Sequence, residues 1–109
     1  MSQSAVILDE LFADIQSKAG TDISKSYTAS LLADGVEKPI RKLSEEVTET
    51  LIEVMKGDSQ AVATESADLL YHLLVVWQAA GIDAEDVWQI LQERRGISGH
   101  DEKANRQPS

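Results

Sequence analysis

The chain has 109 residues, of which 42% are hydrophobic and 27% are charged, and its formal net charge is −9. This length predicts a single domain spanning 1–109, and so acidic a chain argues against binding nucleic acid, which needs basic surface. The sequence has no cysteine, which excludes a disulfide framework and a zinc–thiolate site. With no signal peptide and no apolar run long enough to span a bilayer, we expect a cytoplasmic protein with no membrane partner.

Hydrophobic residues recur at intervals of three and four, and no segment alternates like an exposed strand, so the chain is predicted to be all-α. We expect a bundle of four to five helices, over 5–18, 27–33, 39–56, 59–80 and 84–95. Gly57 and Gly81 fit the ends of the helices before them, and Asp58 and Asp83 fit the N-caps of the helices that follow. The remaining segment, 97–109, is expected to be a polar tail with loosely ordered last residues.

The third predicted helix has two unlike faces. One narrow sector is apolar and consists of Leu43, Val47, Leu51 and Val54. The opposite side is acidic and consists of Glu45, Glu46, Glu49 and Glu53. A solvated acidic face is one interpretation of this pattern, and for this helix alone it stays open beside a functional one.

The fourth predicted helix is apolar on nearly every side, which is typical of a helix buried on more than one side. Glu65 and Asp68 extend a line of core positions that includes His72. Carboxylates at the edge of a core are costly without a counter-charge, and no Lys or Arg occurs between Gly57 and Glu93. A divalent cation held between the third and fourth helices is the simplest counter-charge.

The same fourth helix predicts self-association. A chain of this size buries roughly 60–70% of its unfolded surface and can hardly cover a helix on all sides by itself. Packing of fourth helices across a symmetry axis would complete the burial, so we expect a homodimer or a higher homo-oligomer.

The spacing of the acidic residues favours a hard cation. Glu46 and Glu49 lie three apart, as do Glu65 and Asp68, so each pair shares one face of a helix. An all-carboxylate site suits Mg²⁺, Mn²⁺ or Ca²⁺, and the sequence lacks both a calcium-binding loop and the Glu-x-x-His spacing of di-iron bundles. Mg²⁺ is commonly held by a few carboxylates together with substrate phosphates, which indicates hydrolysis of a phosphoanhydride, with Mn²⁺ as a substitute metal.

Five segments of the chain resemble one family. In chain order they are Ser26-Tyr27-Thr28-Ala29, Lys42-x-x-Glu45-Glu46-x-Thr48-Glu49, Glu65-x-Ala67-Asp68-Leu69-Leu70-Tyr71-His72, Arg94-Arg95-Gly96-x-Ser98-Gly99 and Glu102-Lys103-Ala104-x-Arg106. They resemble the phosphoribosyl-ATP pyrophosphatase family, within the all-α nucleoside triphosphate pyrophosphohydrolase superfamily, and the likeness covers nearly the whole chain. The resemblance implies Mg²⁺-dependent hydrolysis of phosphoribosyl-ATP to phosphoribosyl-AMP and pyrophosphate, the second step of histidine biosynthesis, by a cytoplasmic homodimer.

The resemblance, together with the helical spacing, also predicts roles for individual residues. The predicted metal ligands are Glu46, Glu49, Glu65 and Asp68. Glu45 or Glu49 is expected to assist the attacking water. The residues predicted to bind the substrate are Lys42, Tyr27, Thr28, Arg95, Lys103 and Arg106. Favourable charge at a helix end and a solvated tail explain the C-terminal cations, with Arg94 among them, equally well.

Alternative interpretations remain at two side chains and for the function itself. His72 lies in an apolar run and is expected to be a core histidine with a satisfied hydrogen bond rather than a ligand, and Glu53 is expected to be solvated. One other function is that of a house-cleaning pyrophosphohydrolase of the MazG type, acting on deoxynucleoside or modified nucleoside triphosphates. A non-catalytic acidic module for dimerisation is the other.

Overall fold

The computed structural model describes residues 4–106, apart from the side chain of Glu102. Within this range the chain forms six helices, α1 Val6–Lys18, α2 Tyr27–Leu32, α3 Glu37–Lys56, α4 Ser59–Ala80, α5 Ala84–Arg94 and α6 Gly99–Arg106. The all-α prediction is confirmed, and α1 to α5 match the expected helices to within two residues at each end. The short helix α6 lies in the segment predicted as a polar tail, of which 107–109 is outside the described residues. None of the described helices is long and apolar enough to cross a membrane.

Two residues form the turn between α3 and α4, one ending the first helix and the other capping the second. Gly57 ends α3 in the left-handed region, with φ at 75°, a conformation that strains other residues. The carboxylate of Asp58 accepts a hydrogen bond from the backbone N–H of Ala61 at 3.1 Å and so caps α4. Because this linker is so short, α3 and α4 fold back as antiparallel neighbours, and they form the most extensive helix pair in the described part of the chain.

The core lies around α4, on which α1 and α2 pack. Its buried apolar residues are Phe12, Ile15, Leu31, Leu74, Val75 and Ala84. Trp77 of α4 packs edge-to-face on Phe12 of α1 and on Trp88 of α5, with ring centroids 6.4 and 5.6 Å apart. The indole Nε1 of Trp88 donates a hydrogen bond to Asp9 at 2.7 Å. Helix α4 thus has neighbours on more than one side, as predicted, and holds α3 in place for the site described below.

The outer face of α3 is apolar and exposed. We call its five residues the outer stripe: Ile40, Val47, Leu51, Val54 and Met55, which are between 38% and 88% exposed. The accessible surface of the chain is 7852 Å², about 1,900 Å² more than the roughly 5,900 Å² of a compact monomer of 11.9 kDa. The radius of gyration, 16.2 Å, likewise exceeds the about 13 Å expected for this length. The single chain is therefore less compact than a monomer of this size usually is, and the outer stripe is apolar surface that it leaves exposed.

Candidate metal and substrate site

Three carboxylates meet in the seam between α3 and α4. Glu46 and Glu49 of α3 and Glu65 of α4 each place one carboxylate oxygen within 4.8 Å of the others. We call these three residues the carboxylate cluster. Glu46 and Glu65 are half-buried, whereas Glu49 is exposed, so the cluster opens to solvent on the side of Glu49. The structure brings together three of the four residues predicted as metal ligands.

Asp68, the fourth predicted ligand, lies about one turn beyond Glu65 on α4. It is exposed, and its oxygens do not belong to the group within 4.8 Å that the described residues form. Its negative charge nevertheless helps to raise the pKa of Glu46 and of Glu65. Asp68 therefore borders the carboxylate cluster without being part of it.

Among the described residues, no Lys or Arg is seen to pair with the carboxylate cluster. Oε2 of Glu46 and Oε2 of Glu65 are buried and have no hydrogen-bond partner among the described residues. Burial, a hydrogen bond with Glu65 and the charge of Glu49 raise the pKa of Glu46 to about 7. Burial also raises the pKa of Glu65. Because desolvation and like charges both disfavour ionised carboxylates, this site favours either a bound proton or a bound cation.

The acidic face of α3 is solvated only in part. Glu53 lies two turns beyond Glu46 on the same face, its side chain is 21% exposed, and its carboxylate pairs with Nζ of Lys56 at 3.7 Å. The expectation that Glu53 is simply solvated is wrong, because this side of α3 is turned toward α4. Glu45 and Glu49 are exposed, so the interpretation as a solvated face holds for those two residues.

Lys42 and Glu45 lie on the turn of α3 that precedes the carboxylate cluster. The ammonium group of Lys42 contacts Oε2 of Glu45 at 3.5 Å, and the two side chains are 33% and 49% exposed. The residues predicted to bind phosphate and to activate water are therefore paired with each other beside the cluster. Both side chains are exposed enough for either to exchange its partner for a ligand.

An aromatic group lies on α2 and α4, one to two turns beyond Glu65. We call Tyr27, Tyr71 and His72 the aromatic cluster. The rings of Tyr27 and Tyr71 are stacked, with centroids 6.4 Å and planes 20° apart. Both rings pack edge-on against His72, at 6.3 and 4.9 Å. The hydroxyl of Thr28 shares a hydrogen bond of 2.5 Å with that of Tyr71, so this predicted substrate-binding hydroxyl already has a protein partner.

His72 has an environment that the sequence only partly predicted. It is 5% exposed, which agrees with the expected core position. The expected satisfied hydrogen bond is wrong for one ring nitrogen, since Nδ1 is buried and has no partner among the described residues. Burial lowers the pKa of His72, while the charges of Asp68, Lys42 and Glu45 act on it in opposing directions. His72 follows Asp68 by four residues, and this helical spacing indicates from the sequence alone that His72 lies beside the acidic residues.

Comparison with known proteins identifies the family. A family model described as phosphoribosyl-ATP pyrophosphohydrolase matches residues 8–95. The chain is 49% identical over 100 residues to the phosphoribosyl-ATP pyrophosphatase of Azospirillum brasilense, covering 92% of this chain and 90% of that protein. It is 48% identical over 106 residues to the protein of the same name from Parvibaculum lavamentivorans, covering 97% of each. The chain belongs to the phosphoribosyl-ATP pyrophosphohydrolase family. The resemblance seen in the sequence is thereby confirmed.

The part of the chain that matches the phosphoribosyl-ATP pyrophosphohydrolase family contains both clusters and ends at Arg95. Lys103 and Arg106 lie beyond it, on α6, and Arg95 directly follows α5. Helix α6, which contains Lys103 and Arg106, makes no extended contact with α3 or α4 within the described residues. All three cations stay predicted substrate-binding residues.

The carboxylate cluster of this family member fits a hard divalent cation. Its donors are all oxygens, which Mg²⁺ and Ca²⁺ prefer. A cation among them would pair the two buried oxygens that have no partner, on Glu46 and Glu65. It would also displace the proton that the raised pKa of Glu46 retains near neutral pH.

Proposed function

We propose that this protein hydrolyses phosphoribosyl-ATP to phosphoribosyl-AMP and pyrophosphate, with Mg²⁺ as its cofactor, in the second step of histidine biosynthesis. The observation that carries the proposal is the carboxylate cluster, with two buried oxygens that lack partners, in a chain of this family. The names of the relatives from Azospirillum brasilense and Parvibaculum lavamentivorans supply the substrate.

The residues that would hold Mg²⁺ are those of the carboxylate cluster, Glu46, Glu49 and Glu65, with Asp68 beside them. When bound, Mg²⁺ supplies polarisation of a phosphoryl oxygen and activation of a water molecule. Glu46 and Glu65 come from different helices and would hold the cation from both sides of the seam, whereas the exposed Glu49 lies on the side open to solvent. Mn²⁺ would fit the same oxygen donors.

Lys42 and Glu45 would act on the substrate and on the attacking water. The chain carries a net charge of −9, which repels polyphosphates, so a cation at the mouth of the site has to offset that repulsion locally. Lys42 is the cation on the turn beside the carboxylate cluster and would exchange its ion pair with Glu45 for a phosphate oxygen. Glu45, released from that pair, or Glu49 would then accept the proton of the attacking water.

We infer that the protein works as a homodimer in the cytoplasm, in which the exposed apolar surface of each chain is covered. The outer stripe is wide and apolar, and contiguous exposed apolar surface of this kind is typical of an interface. A second copy of the chain would cover the outer stripe.

Release of pyrophosphate tests the proposed function. With Mg²⁺ present, the protein should release pyrophosphate from phosphoribosyl-ATP far faster than from any member of a panel of deoxynucleoside and modified nucleoside triphosphates. Turnover of the panel alone would reject the proposal and support a house-cleaning activity. No turnover of any nucleotide, together with no shift of the melting temperature by Mg²⁺, would support a non-catalytic module.

A further inference from the structure

The aromatic cluster contains a polar atom that the fold leaves unpaired. Nδ1 of His72 is buried, and no described residue offers it a hydrogen bond. Buried polar groups in proteins are nearly always paired, and an exception calls for a partner from outside the folded chain. The neighbouring Tyr27 and Tyr71 rings contact the imidazole only through edge-on packing, at 6.3 and 4.9 Å between centroids.

The two tyrosine side chains of the aromatic cluster differ in how far the surrounding structure constrains them. Tyr71 is tied to α2 through the hydrogen bond between its hydroxyl and that of Thr28. Tyr27 is the first residue of α2, its side chain is 55% exposed, and no described residue forms a hydrogen bond with its hydroxyl. Tyr27 is therefore the more exposed and the less constrained of the two rings that pack on His72.

The aromatic cluster lies at a suitable distance from the carboxylate cluster. His72 follows Glu65 by seven residues on α4, which corresponds to two turns and about 10 Å along the helix. Both residues fall on the same face of α4. An extended nucleotide whose phosphates lie at the carboxylate cluster is long enough to bring its base to this region. Flat aromatic surface is what purine bases stack on in proteins.

We propose that the aromatic cluster is the subsite for the nucleoside end of the substrate, in which the purine base stacks on Tyr27 and hydrogen-bonds Nδ1 of His72. This inference rests on the proposed function for the identity of the substrate. In this subsite, His72 binds the base through a hydrogen bond, and Tyr27 provides the ring on which the base stacks. The hydrogen bond between Thr28 and Tyr71 holds the second tyrosine ring of the subsite in a fixed position.

The test compares two ligands that differ in the nucleoside. Phosphoribosyl-ATP with Mg²⁺ carries the base, whereas inorganic triphosphate, used as a competitive inhibitor, carries phosphates alone. Tyr27→Ala and His72→Leu should each raise KM for phosphoribosyl-ATP about tenfold, leave kcat nearly unchanged, and leave the inhibition constant of triphosphate as in the wild type. His72→Asn, which keeps a polar atom near the position of Nδ1, should recover most of the affinity that His72→Leu loses.

The control is Ile23→Ala, which removes a side chain that is 59% exposed just before α2 and should alter neither constant. Loss of affinity for both ligands in parallel, or an unchanged KM in Tyr27→Ala, would overturn the subsite. If His72→Leu fails to fold, the Tyr27→Ala variant alone decides whether the subsite exists, because Tyr27 is exposed.

If the wild type does not hydrolyse phosphoribosyl-ATP, the proposed function fails. The subsite is then tested by thermal shift with Mg²⁺–ATP against triphosphate, where equal responses in wild type and Tyr27→Ala would overturn it.

Discussion

The inner and outer faces of α3 reverse the usual arrangement of a helix in a soluble protein. The inner face turns half-buried carboxylates, those of Glu46 and Glu53, toward α4. The outer face leaves the outer stripe exposed, with Leu51 at 60% and Val54 at 54%. A surface helix ordinarily buries its apolar face and exposes its charges. Each face of α3 is thus incomplete in the single chain, since one lacks positive charge and the other lacks a covering surface.

Two glutamates on the inner face of α3 differ in whether a positive charge lies beside them. Glu53 has a counter-charge, because Nζ of Lys56 lies 3.7 Å from its carboxylate. Glu46, two turns earlier, has no counter-charge among the described residues, and its pKa is raised to about 7 by burial and by neighbouring carboxylates. The missing positive charge is therefore confined to the carboxylate cluster and is not a property of the whole acidic face.

The largest effect is expected from removing charge in the carboxylate cluster. Glu46→Gln keeps the size of the side chain but weakens the hold on the cation, so turnover of phosphoribosyl-ATP should fall by about 100-fold or more. The protein should stay folded, and its melting temperature without metal should not fall, because repulsion within the cluster is relieved. Steady-state kinetics and thermal unfolding measure the two results.

The matched control for that change is Glu53→Gln, on the same face of α3. It should retain nearly all of the turnover, because Glu53 is paired with Lys56 and lies outside the carboxylate cluster. Equal losses of activity in the two variants would show that the inner face acts as a general acidic surface and not through a defined site.

The second effect concerns the outer face. Leu51→Glu places a charge in the middle of the outer stripe, which should weaken a dimer by about 2 kcal/mol or more, or roughly 30-fold in its dissociation constant. Light scattering over a range of concentrations measures the mass. Ile23→Glu, at a side chain that is 59% exposed outside α3, is the control and should leave the mass unchanged. A wild-type protein that is monomeric throughout would contradict the interface.

The third effect is the pH dependence of metal binding. The pKa of Glu46 is raised from 4.5 to about 7, and a cation binds the ionised form. Mg²⁺ affinity should therefore rise about tenfold per pH unit below pH 7 for each displaced proton and level off above it. Calorimetric titration in buffers of different ionisation enthalpy would measure the proton release. An affinity that does not change between pH 5.5 and 7 would contradict the raised pKa.

The stability of the metal-free protein should change in the opposite direction. A raised pKa means that the folded state binds more protons than the unfolded state between pH 4.5 and 7. Its free energy of unfolding should therefore fall as pH rises through this window, and saturating Mg²⁺ should restore it at pH 7 and above. Chemical unfolding with and without Mg²⁺ follows both trends.

The smallest effect is expected where the inner face is already paired. Lys56→Ala removes an ion pair whose lysine is 65% exposed, and exposed pairs contribute about 0–1 kcal/mol. The melting temperature should fall by no more than a few degrees, and turnover should be retained. A collapse of activity in this variant would extend the site along α3 as far as Glu53.

The sequence predicted what local rules determine. Gly57 and Asp58 mark the joint between α3 and α4 through a left-handed φ and a capping hydrogen bond, and both act within a few residues. The spacing of Glu46, Glu49 and Glu65 was enough to bring them to one seam once α3 and α4 pack side by side. Local signals of this kind account for the agreement of α1 to α5 with the predicted helices.

Other features depend on tertiary or quaternary neighbours and could not be predicted from the sequence. The exposure of Val47, Leu51 and Val54 follows from which face of α3 meets α4, and an amphipathic pattern alone assigns the apolar face to the core. The unpaired Nδ1 of His72 depends on what α2 places around it. Helix α6 forms in a segment whose composition is that of a tail.

The carboxylate cluster is tested most directly by crystals grown with Mn²⁺ and a non-hydrolysable nucleotide analogue. The anomalous signal of Mn²⁺ locates the cation independently of the refined side chains. We predict a peak in the seam between α3 and α4, at coordination distance from Glu46, Glu49 and Glu65, with the phosphates of the analogue on its open side. Well-ordered nucleotide with no anomalous peak in this seam, or a peak coordinated only by residues elsewhere in the chain, would contradict the account.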